Sequence, residues 1–253
     1  MKEYTGLRDQ KSKRREAGSF VIEGARLAND ALLSGAKLTA AFITEQAREK
    51  YGECCLALVQ SGIPVYDVTP AVAGCLADTR STQGIFCTAI MPQDELEIQK
   101  IDPQGAYLAL EDIQDPGNLG TMLRTAEAMG IKGVLLSAGC TDAYSPKVVR
   151  ASMGAVFRLP FYSGVNMPDA VALLKSKGIK VYAAVADGGD DILDYSLGGG
   201  VAAVIGNEGN GLTQECIEAC SGRITVRMQG RAESLNAAAA ATVIIWEMTK
   251  RRG

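Results

Sequence analysis

The sequence contains no histidine and no long apolar run. Without histidine there is no Ser-His-Asp triad, no histidine-ligated zinc and no imidazole base, so proton transfer falls to carboxylates, Arg, Lys, Tyr or Cys. No apolar segment approaches the length of a membrane span, and the beginning, MKEYTGLRDQKSKRRE, lacks the apolar core of a signal peptide. We therefore expect a cytoplasmic protein that does not associate with a membrane.

The cysteines also lack a metal-binding arrangement. Seven are scattered along the 253 residues, an odd number, and no pair has the spacing of a zinc ribbon. Most have apolar neighbours, which favours reduced, structural thiols. With 47% apolar and 22% charged residues, the chain has the composition of an ordinary soluble protein with one large core or two smaller ones. We expect no metal site.

Charge is distributed unevenly along the chain. Residues 1–20 hold six Lys or Arg and three acids, a net charge of +3, whereas the whole chain has a net charge of −3. A basic arm that contains Arg14 and Arg15, attached to an acidic body, suits selective RNA binding. A solvated first helix explains the same charges equally well.

Apolar runs alternate with helical patterns along the whole chain, which is typical of an α/β fold. A polar stretch with two prolines, 91–104, predicts a boundary between a small α/β domain over 1–95 and a second domain over 104–253. The second domain is expected to contain a mostly parallel sheet with both faces covered. The strands predicted for the two domains are 20–22, 38–44, 64–67 and 84–90, and then 107–110, 133–137, 156–161, 180–186, 201–205 and 223–226. A helix is predicted over 45–60, between the second and third of these strands.

The segment 111–130, EDIQDPGNLGTMLRTAEAMG, follows an apolar strand and opens a helix near Leu119. Asn118 is the predicted N-cap of that helix, and Gly130 is placed to end it. Arg124 falls on the side of the helix opposite the apolar stripe. An Asn at the helix start and an Arg on its free face suit an anionic or polar ligand.

Two later segments have the same strand-loop-helix character. In VAAVIGNEGNGL, a buried strand ends in glycines around Asn207 and Glu208, where the backbone could approach a ligand closely. In VRMQGRAESLN, a strand and a loop lead to an alanine-rich helix predicted over 235–251, with Ser234 and Asn236 at its start. A plain glycine turn and plain helix capping are the alternatives for these two segments.

A fourth segment, DAYSPKVVRASMG, predicts a helix with Ser145 as N-cap and Pro146 at its first position. Lys147, Arg150 and Ser152 could hold a phosphate there. A capped surface helix without a ligand is the alternative.

Taken in order, these segments resemble the SpoU/TrmH family of RNA ribose 2′-O-methyltransferases, within the SPOUT superfamily. DPGNLGTMLRTAEAMG is similar to the first family motif, IGNEGNGL to the second and VRMQGRAESLNAAAAA to the third. Upstream, FVIEGARLANDAL and TRSTQGIFCTAI resemble the small RNA-recognition domain, related to a ribosomal-protein fold, that often precedes the catalytic domain. The chain departs from the family at Arg227, where proline is common.

The resemblance implies S-adenosylmethionine as cofactor, a deep trefoil knot in the C-terminal domain, and a homodimer formed through that domain. Matching the motifs places the cofactor against three loops at strand ends. The residues assigned to the cofactor in this way are Ala186, Gly206, Asn207, Gly209, Val226, Met228 and Leu235.

The resemblance also assigns Arg124 as the general base or the anchor of the target nucleotide. The residues that it places around Arg124 are Asn118, Glu208, Ser234 and Asn236. Because a guanidinium keeps its proton at neutral pH, we hypothesise that Arg124 grips a phosphate and stabilises the developing alkoxide, while Glu208 or a water path takes the proton. The alternatives are an ion pair between Arg124 and Glu127, and a purely structural role for Glu208.

The predicted function is S-adenosylmethionine-dependent methylation of a ribose 2′-hydroxyl in structured RNA. The additional N-terminal domain favours ribosomal RNA, and Arg14, Arg15, Lys147 and Arg150 are the predicted RNA contacts. The alternatives are a transfer-RNA ribose methyltransferase, a knotted module that binds RNA without catalysis, and an unrelated α/β metabolic enzyme.

Overall fold

The computed structural model describes residues 1–92, 100–195, 197, 199–231 and 234–250. Much of the predicted boundary, 93–99, and the predicted end of the last helix at Arg251 lie outside the described residues. Contacts divide the chain into two compact units, which comprise 1–92 with Asp142–Arg158 and 100–141 with 159–250. The sequence did not indicate that Asp142–Arg158 packs with N-terminal residues.

The described residues form eleven α-helices and eleven strands. The helices are α1 (Lys2–Asp9), α2 (Lys11–Ala17), α3 (Ala25–Leu33), α4 (Glu45–Lys50), α5 (Gly52–Gln60), α6 (Pro70–Leu76), α7 (Pro116–Ala128), α8 (Pro146–Ala151), α9 (Met167–Ser176), α10 (Gln214–Ala219) and α11 (Ala237–Thr249). The strands are β1 (Ser19–Glu23), β2 (Leu38–Ile43), β3 (Val65–Asp67), β4 (Ile85–Ile90), β5 (Ala106–Leu110), β6 (Gly133–Ser137), β7 (Phe161–Val165), β8 (Lys180–Ala184), β9 (Asp190–Asp191), β10 (Val201–Ile205) and β11 (Gly222–Thr225).

The first unit is built on a four-stranded mixed sheet of order β1-β4-β2-β3. Strand β4 pairs antiparallel with both β1 and β2, and β3 is parallel to β2. Helix α1 places Tyr4 and Leu7, which lie one turn apart, in a core with Val21, Leu76 and Phe86. The beginning of the chain is therefore helical and part of this folded unit, which agrees with the alternative of a first helix.

Two predicted elements of the chain differ from the observed ones. The helix expected over 45–60 is two helices, because Tyr51 leaves the helical conformation and ends α4 while it begins α5. The strand expected over 156–161 is wrong. Met153 and Gly154 both have positive φ, and the chain then makes 3₁₀-type hydrogen bonds over Ala155–Phe157, so that β7 begins only at Phe161.

The second unit contains a seven-stranded sheet of order β7-β6-β5-β10-β8-β11-β9, in which every neighbouring pair is parallel. The predicted mostly parallel sheet is thus confirmed. On one face, α9 and α10 cover a core that includes Tyr107, Leu135 and Val204. On the other face, α7 and α11 pack against each other, and α11 also packs against β5 and β10.

The order of the strands creates a crevice. After β5 the chain adds β6 and β7 on one side, then returns to build β8, and β10 enters between β5 and β8. In parallel sheets, ligands bind outside the carboxyl ends of the strands where the strand order reverses. The loops after β5, β8, β10 and β11 lie at that edge, and they contain most of the residues predicted for the site.

Candidate active site

A cavity of about 240 Å³ lies at the carboxyl ends of β8, β10 and β11 and at the start of α11. Its walls are mostly apolar, and small residues such as Ala184 and Ala240 widen it. All seven residues predicted to hold the cofactor line this cavity: Ala186, Gly206, Asn207, Gly209, Val226, Met228 and Leu235. Further lining residues, which had not been assigned to the cofactor, include Ile205, Gly211, Ile224, Ala237 and Ile244. Such a cavity suits a ligand with a flat apolar part and a polar tail.

The glycine loop after β10 is closed on itself. The backbone groups of Asn207 and Gly211 exchange two hydrogen bonds of 3.0 and 2.9 Å, and the Asn207 side-chain oxygen accepts from the N–H groups of Gly209 and Asn210. A Cβ atom at Gly206 would lie 2.3 Å from the carbonyl carbon of Gly211. This close approach requires glycine at position 206. Because Gly206 lines the cavity, the conformation of the loop fixes the shape of that wall.

Glu208 acts as a clamp between this loop and the loop after β5. Its carboxylate accepts hydrogen bonds from the backbone N–H groups of Gln114 and Asp115, both 3.1 Å, and from the side-chain amide of Asn118, 3.0 Å. Burial raises the pKa of Glu208, but these hydrogen bonds together outweigh it, and the net pKa lies below its ordinary value. A carboxylate with a lowered pKa is a poor proton acceptor, which argues against Glu208 as the base.

Asn118 links Glu208 to the start of α11. Its side-chain oxygen accepts a 3.1 Å hydrogen bond from the amide of Asn236. Asn236 is the N-cap of α11 and accepts from the N–H groups of Ala238 and Ala239. Three of the predicted catalytic residues, Asn118, Glu208 and Asn236, therefore form one continuous hydrogen-bonded chain.

The expectation that Asn118 caps α7 is wrong. The N-cap is Asp115, whose carboxylate accepts a 2.8 Å hydrogen bond from the N–H of Asn118, and Pro116 occupies the first helical position. Asn118 thus lies inside the first turn of α7, which frees its side chain for Glu208 and Asn236. The predicted helix end is confirmed, since Gly130 has φ +77° directly after the C-cap.

A strained residue fixes the loop after β5. Asp112 has φ +57°, which non-glycine residues seldom adopt. The Ser137 hydroxyl donates to its carboxylate at 2.6 Å and accepts from its N–H, and the Asn207 amide donates to its carbonyl. Gly139 leaves room for this carboxylate, because a Cβ there would lie 2.1 Å from an Asp112 oxygen. Strain held by several partners is common near functional sites.

Arg124 lies on α7, six residues after Asn118, and is exposed. Within the described part of the chain, no residue forms a hydrogen bond or ion pair with its guanidinium. The alternative of an ion pair with Glu127 therefore finds no support. Ser234 lines the cavity and is exposed. Among the described residues, no hydrogen bond joins Arg124 to Ser234 or to the chain of Asn118, Glu208 and Asn236.

The residues predicted to contact RNA have different environments. Arg14 is only 4% exposed, and its guanidinium pairs with Asp142 and donates to the carbonyls of α1, so its assignment as an RNA contact is wrong in this conformation. Ser152 is fully buried and donates to Val149. Arg15 and Lys147 are exposed, and Arg150 pairs with Asp78.

Two further properties bear on the class of site. Over the described ranges, no three Cys, Asp or Glu side chains come together in a way that could hold a metal ion. Among the described helices, none has the length and apolar character needed to cross a membrane.

Two family models match this chain. Residues 105–246 match the SpoU rRNA Methylase family, and residues 1–87 match the MRM3-like substrate binding domain. The first match covers more than half of the chain and contains every residue of the cavity and of the Asn118, Glu208 and Asn236 chain.

Individual relatives extend over nearly the whole chain. The 23S rRNA (guanosine(2553)-2′-O)-methyltransferase RlmP of Bacillus subtilis is 30% identical over 238 residues, which cover 94% of this chain and 91% of that one. An S-adenosylmethionine-bound rRNA methyltransferase from Sinorhizobium meliloti superposes with a TM-score of 0.85 and 31% identity, over 98% of this chain and 92% of that one. A solved RNA 2′-O ribose methyltransferase superposes with a TM-score of 0.83 and 30% identity, over 98% of this chain and 93% of that one. The chain therefore belongs to the SpoU rRNA methylase family and is an S-adenosylmethionine-dependent RNA ribose 2′-O-methyltransferase.

Proposed function

We propose that this enzyme methylates one ribose 2′-hydroxyl of ribosomal RNA, with 23S rRNA as the first candidate. The relative RlmP is named for a 23S rRNA guanosine, and the family model is that of rRNA methylases. The observation that carries the assignment of the site is the continuous chain Asn236–Asn118–Glu208, which joins the cavity wall to the helix that carries Arg124. The first unit is proposed to recognise the RNA, since 1–87 match a substrate binding domain.

The cavity residues fit the proposed cofactor. The apolar side chains of Val226, Met228 and Leu235 suit an adenine ring, and the backbone of the glycine loop suits polar groups. When bound, S-adenosylmethionine supplies an electrophilic methyl group. The protein then has to align the ribose oxygen and deal with its proton.

Arg124 is proposed to hold the phosphate beside the target ribose and to stabilise negative charge on the 2′-oxygen. An exposed guanidinium without a described partner is free to make bidentate hydrogen bonds to a phosphate. Asn118 and Asn236 hold α7 against the start of α11 and so fix the position from which Arg124 extends. Glu208 is proposed as a positioning residue, and the proton is proposed to leave through water.

Mapping of ribose 2′-O-methyl positions in total RNA, with and without the gene, tests the substrate. Loss of one rRNA position supports the proposal, whereas loss of a transfer-RNA position with unchanged rRNA overturns it. The role of Arg124 is tested with Arg124→Lys, which keeps the charge and loses the planar fork. We expect kcat to fall by about a hundredfold or more, as for other groups that stabilise a developing oxyanion, while calorimetric cofactor binding is unchanged.

The active unit is proposed to be a homodimer formed through α11. Val243 and Trp246 on this helix are 37% and 55% exposed, which is unusual for large apolar side chains on one helix. Sedimentation of the purified protein tests this proposal, and a monomer at micromolar concentration would contradict it.

We also infer that the second unit contains a deep trefoil knot and that the enzyme works in the cytoplasm, where ribosomal RNA is found in bacteria. Family membership and the entry of β10 between β5 and β8 support the knot. A crystallographic trace from β11 to α11 tests it, since an unthreaded path there would exclude the knot.

A further inference from the structure

A second cavity, of about 290 Å³, lies entirely within the first unit. Its walls come from the junction of β1 and α3, from the loop that precedes β4, and from α8 with the residue two positions after it. The volume is at the lower end of the range of about 300–1,000 Å³ found for small-molecule sites. It therefore suits a ligand of the size of one nucleotide.

Two guanidinium groups line this cavity. Arg26 on α3 is exposed, and no residue among those described pairs with it. Arg150 on α8 donates to Asp78 through Nη2 at 2.6 Å, but its Nη1 is buried without any hydrogen-bond partner among the described residues. A buried donor without an acceptor is rare in folded proteins, and a bound acceptor group would satisfy it. Arg26 is therefore free to bind an anionic oxygen, and Arg150 keeps one N–H group that lacks an acceptor.

The apolar part of the lining is held in place at the expense of backbone strain. Leu27 is buried in the wall, and Met153 lines the cavity with φ +49°. A methionine rarely adopts the left-handed conformation, since its Cβ crowds the backbone there. The polarisable thioether of methionine packs well against aromatic rings. The strained residue thus presents a side chain suited to a flat base.

Hydrogen bonds within the protein hold the polar rim of this cavity in place. Glu23 accepts hydrogen bonds from the Asp78 N–H at 2.9 Å and from the Thr79 hydroxyl at 2.5 Å, so each of its two oxygens has a partner. Gln83 accepts from the N–H of Ala25 at 2.8 Å and fixes the start of α3 beside Arg26. The loop and the helix start are therefore tied together around the opening.

We propose that this cavity binds a single unstacked nucleotide of the substrate RNA, with Arg26 and Arg150 at a phosphate and Met153 against the base. Unstacked bases in loops and bulges are the usual targets of sequence-specific RNA recognition, and guanidinium groups both stack on bases and fork to phosphates. The proposal rests on the proposed RNA substrate. It adds a second contact, remote in sequence from Arg124, through which a structured RNA is selected.

The test uses the full-length enzyme with protein-free 23S rRNA as the probe, in filter binding at several salt concentrations and in methyl transfer from tritiated S-adenosylmethionine. We expect Arg26→Gln with Arg150→Gln to raise Kd about tenfold, to lower kcat/KM similarly through KM, and to reduce the salt slope of binding by about one to two. Arg48→Gln is the matched control, because Arg48 is also an arginine of the first unit, pairs with Asp67 and does not line the cavity.

Two more variants separate recognition from folding. Asp78→Asn removes the ion pair and leaves both cations, so we expect RNA to bind at least as tightly as to the unaltered enzyme. Met153→Gly relieves the positive φ and removes the thioether, so we expect Tm to stay level or rise while Kd for RNA increases several-fold. If these residues had only a structural role, the substitutions would instead lower Tm and leave the Kd for RNA unchanged.

The proposal is overturned if the double arginine variant matches Arg48→Gln in Kd and salt slope. It is also overturned if millimolar guanosine or uridine 5′-monophosphate saturates the cavity without competing with RNA, which would identify a site for free nucleotides. An unaltered enzyme that methylates transfer RNA and neither binds nor methylates 23S rRNA would contradict the proposed function. In that case, the same variants tested on transfer RNA decide whether this cavity holds a nucleotide.

Discussion

Replacement of Glu208 by Gln distinguishes a structural role for Glu208, as a clamp between two loops, from a role as the general base. The carboxylate accepts three hydrogen bonds, from the N–H groups of Gln114 and Asp115 and from the amide of Asn118. The Gln side chain has one acceptor oxygen. If that oxygen keeps the hydrogen bonds from the N–H of Asp115 and from the amide of Asn118, the NH₂ group of the glutamine faces the N–H of Gln114. One hydrogen bond to a charged acceptor is then lost.

The lost hydrogen bond sets the expected change in stability and in rate. A hydrogen bond to a charged group contributes about 1.5–3 kcal/mol, and because Glu208 is partly exposed, water replaces some of it. We therefore expect a loss of about 1–1.5 kcal/mol, which lowers Tm by about 2–6 °C for a chain of this size. If the displaced loop weakens the transition state by the same amount, methyl transfer slows by about tenfold. Loss of a general base would cost about 10²–10⁴-fold instead.

The pH dependence gives an independent check. Because the folded-state pKa of Glu208 is lowered, its stabilising effect is complete above the ordinary carboxyl value of about 4.3 and disappears as pH falls through the lowered pKa. The Tm difference between the unaltered enzyme and Glu208→Gln should accordingly be constant from pH 6 to 8, begin to shrink below about pH 4.3, and vanish only once the pH is below the lowered pKa. The profile of kcat against pH should keep its shape.

Methyl-transfer rates between pH 6 and 9 and thermal unfolding between pH 3 and 8 measure both quantities. Glu215→Gln on α10 is the control, since it removes the same charge from an exposed position in the second unit. A fall in kcat of more than a hundredfold, with an altered pH profile and an unchanged Tm, would refute the clamp and assign the base to Glu208.

Three other perturbations test the site and its assembly. Gly206→Ala places a Cβ 2.3 Å from a backbone carbon of its own loop. It should lower the free energy of unfolding by about 1–3 kcal/mol and abolish calorimetric binding of S-adenosylmethionine. Gly230→Ala is the control, since it has open space around it and should change neither quantity. Ser137→Ala removes both hydrogen bonds to Asp112 and should lower stability by about 1–3 kcal/mol, read from denaturant unfolding, with a fall in kcat larger than any change in cofactor affinity. Trp246→Glu should give monomers in sedimentation; persistent dimers would exclude α11 as the interface.

Where burial alone defines an element, the sequence predicts it well. Strands β6 and β10 were predicted with both ends correct, because all five residues of each are buried and the apolar run therefore coincides with the strand. The seven residues predicted to hold the cofactor line one cavity for a related reason. They follow strand ends, and parallel strands bring their carboxyl ends to one edge of the sheet.

Where two residues compete for one local role, the prediction failed. Asp115 and Asn118 are both good N-caps, and Pro116 at the first helical position favours the aspartate, a signal the sequence contains. The charge of Arg14 was equally ambiguous. Nothing local indicates that Asp142, 128 positions away, pairs with it and buries it.

The role of Glu208 shows why the chemistry of a site cannot be predicted from residue types alone. A carboxylate beside a reacting hydroxyl suggests a base, and the sequence contains no histidine to compete for that task. Its actual partners are two backbone N–H groups and an amide 90 to 94 positions earlier in the chain, and only the fold brings these donors to it. Those donors lower its pKa and so favour the ionised clamp over the proton acceptor. Because the clamp also sets the start of the helix that carries Arg124, the same three hydrogen bonds connect the cavity proposed for the cofactor to the proposed phosphate anchor.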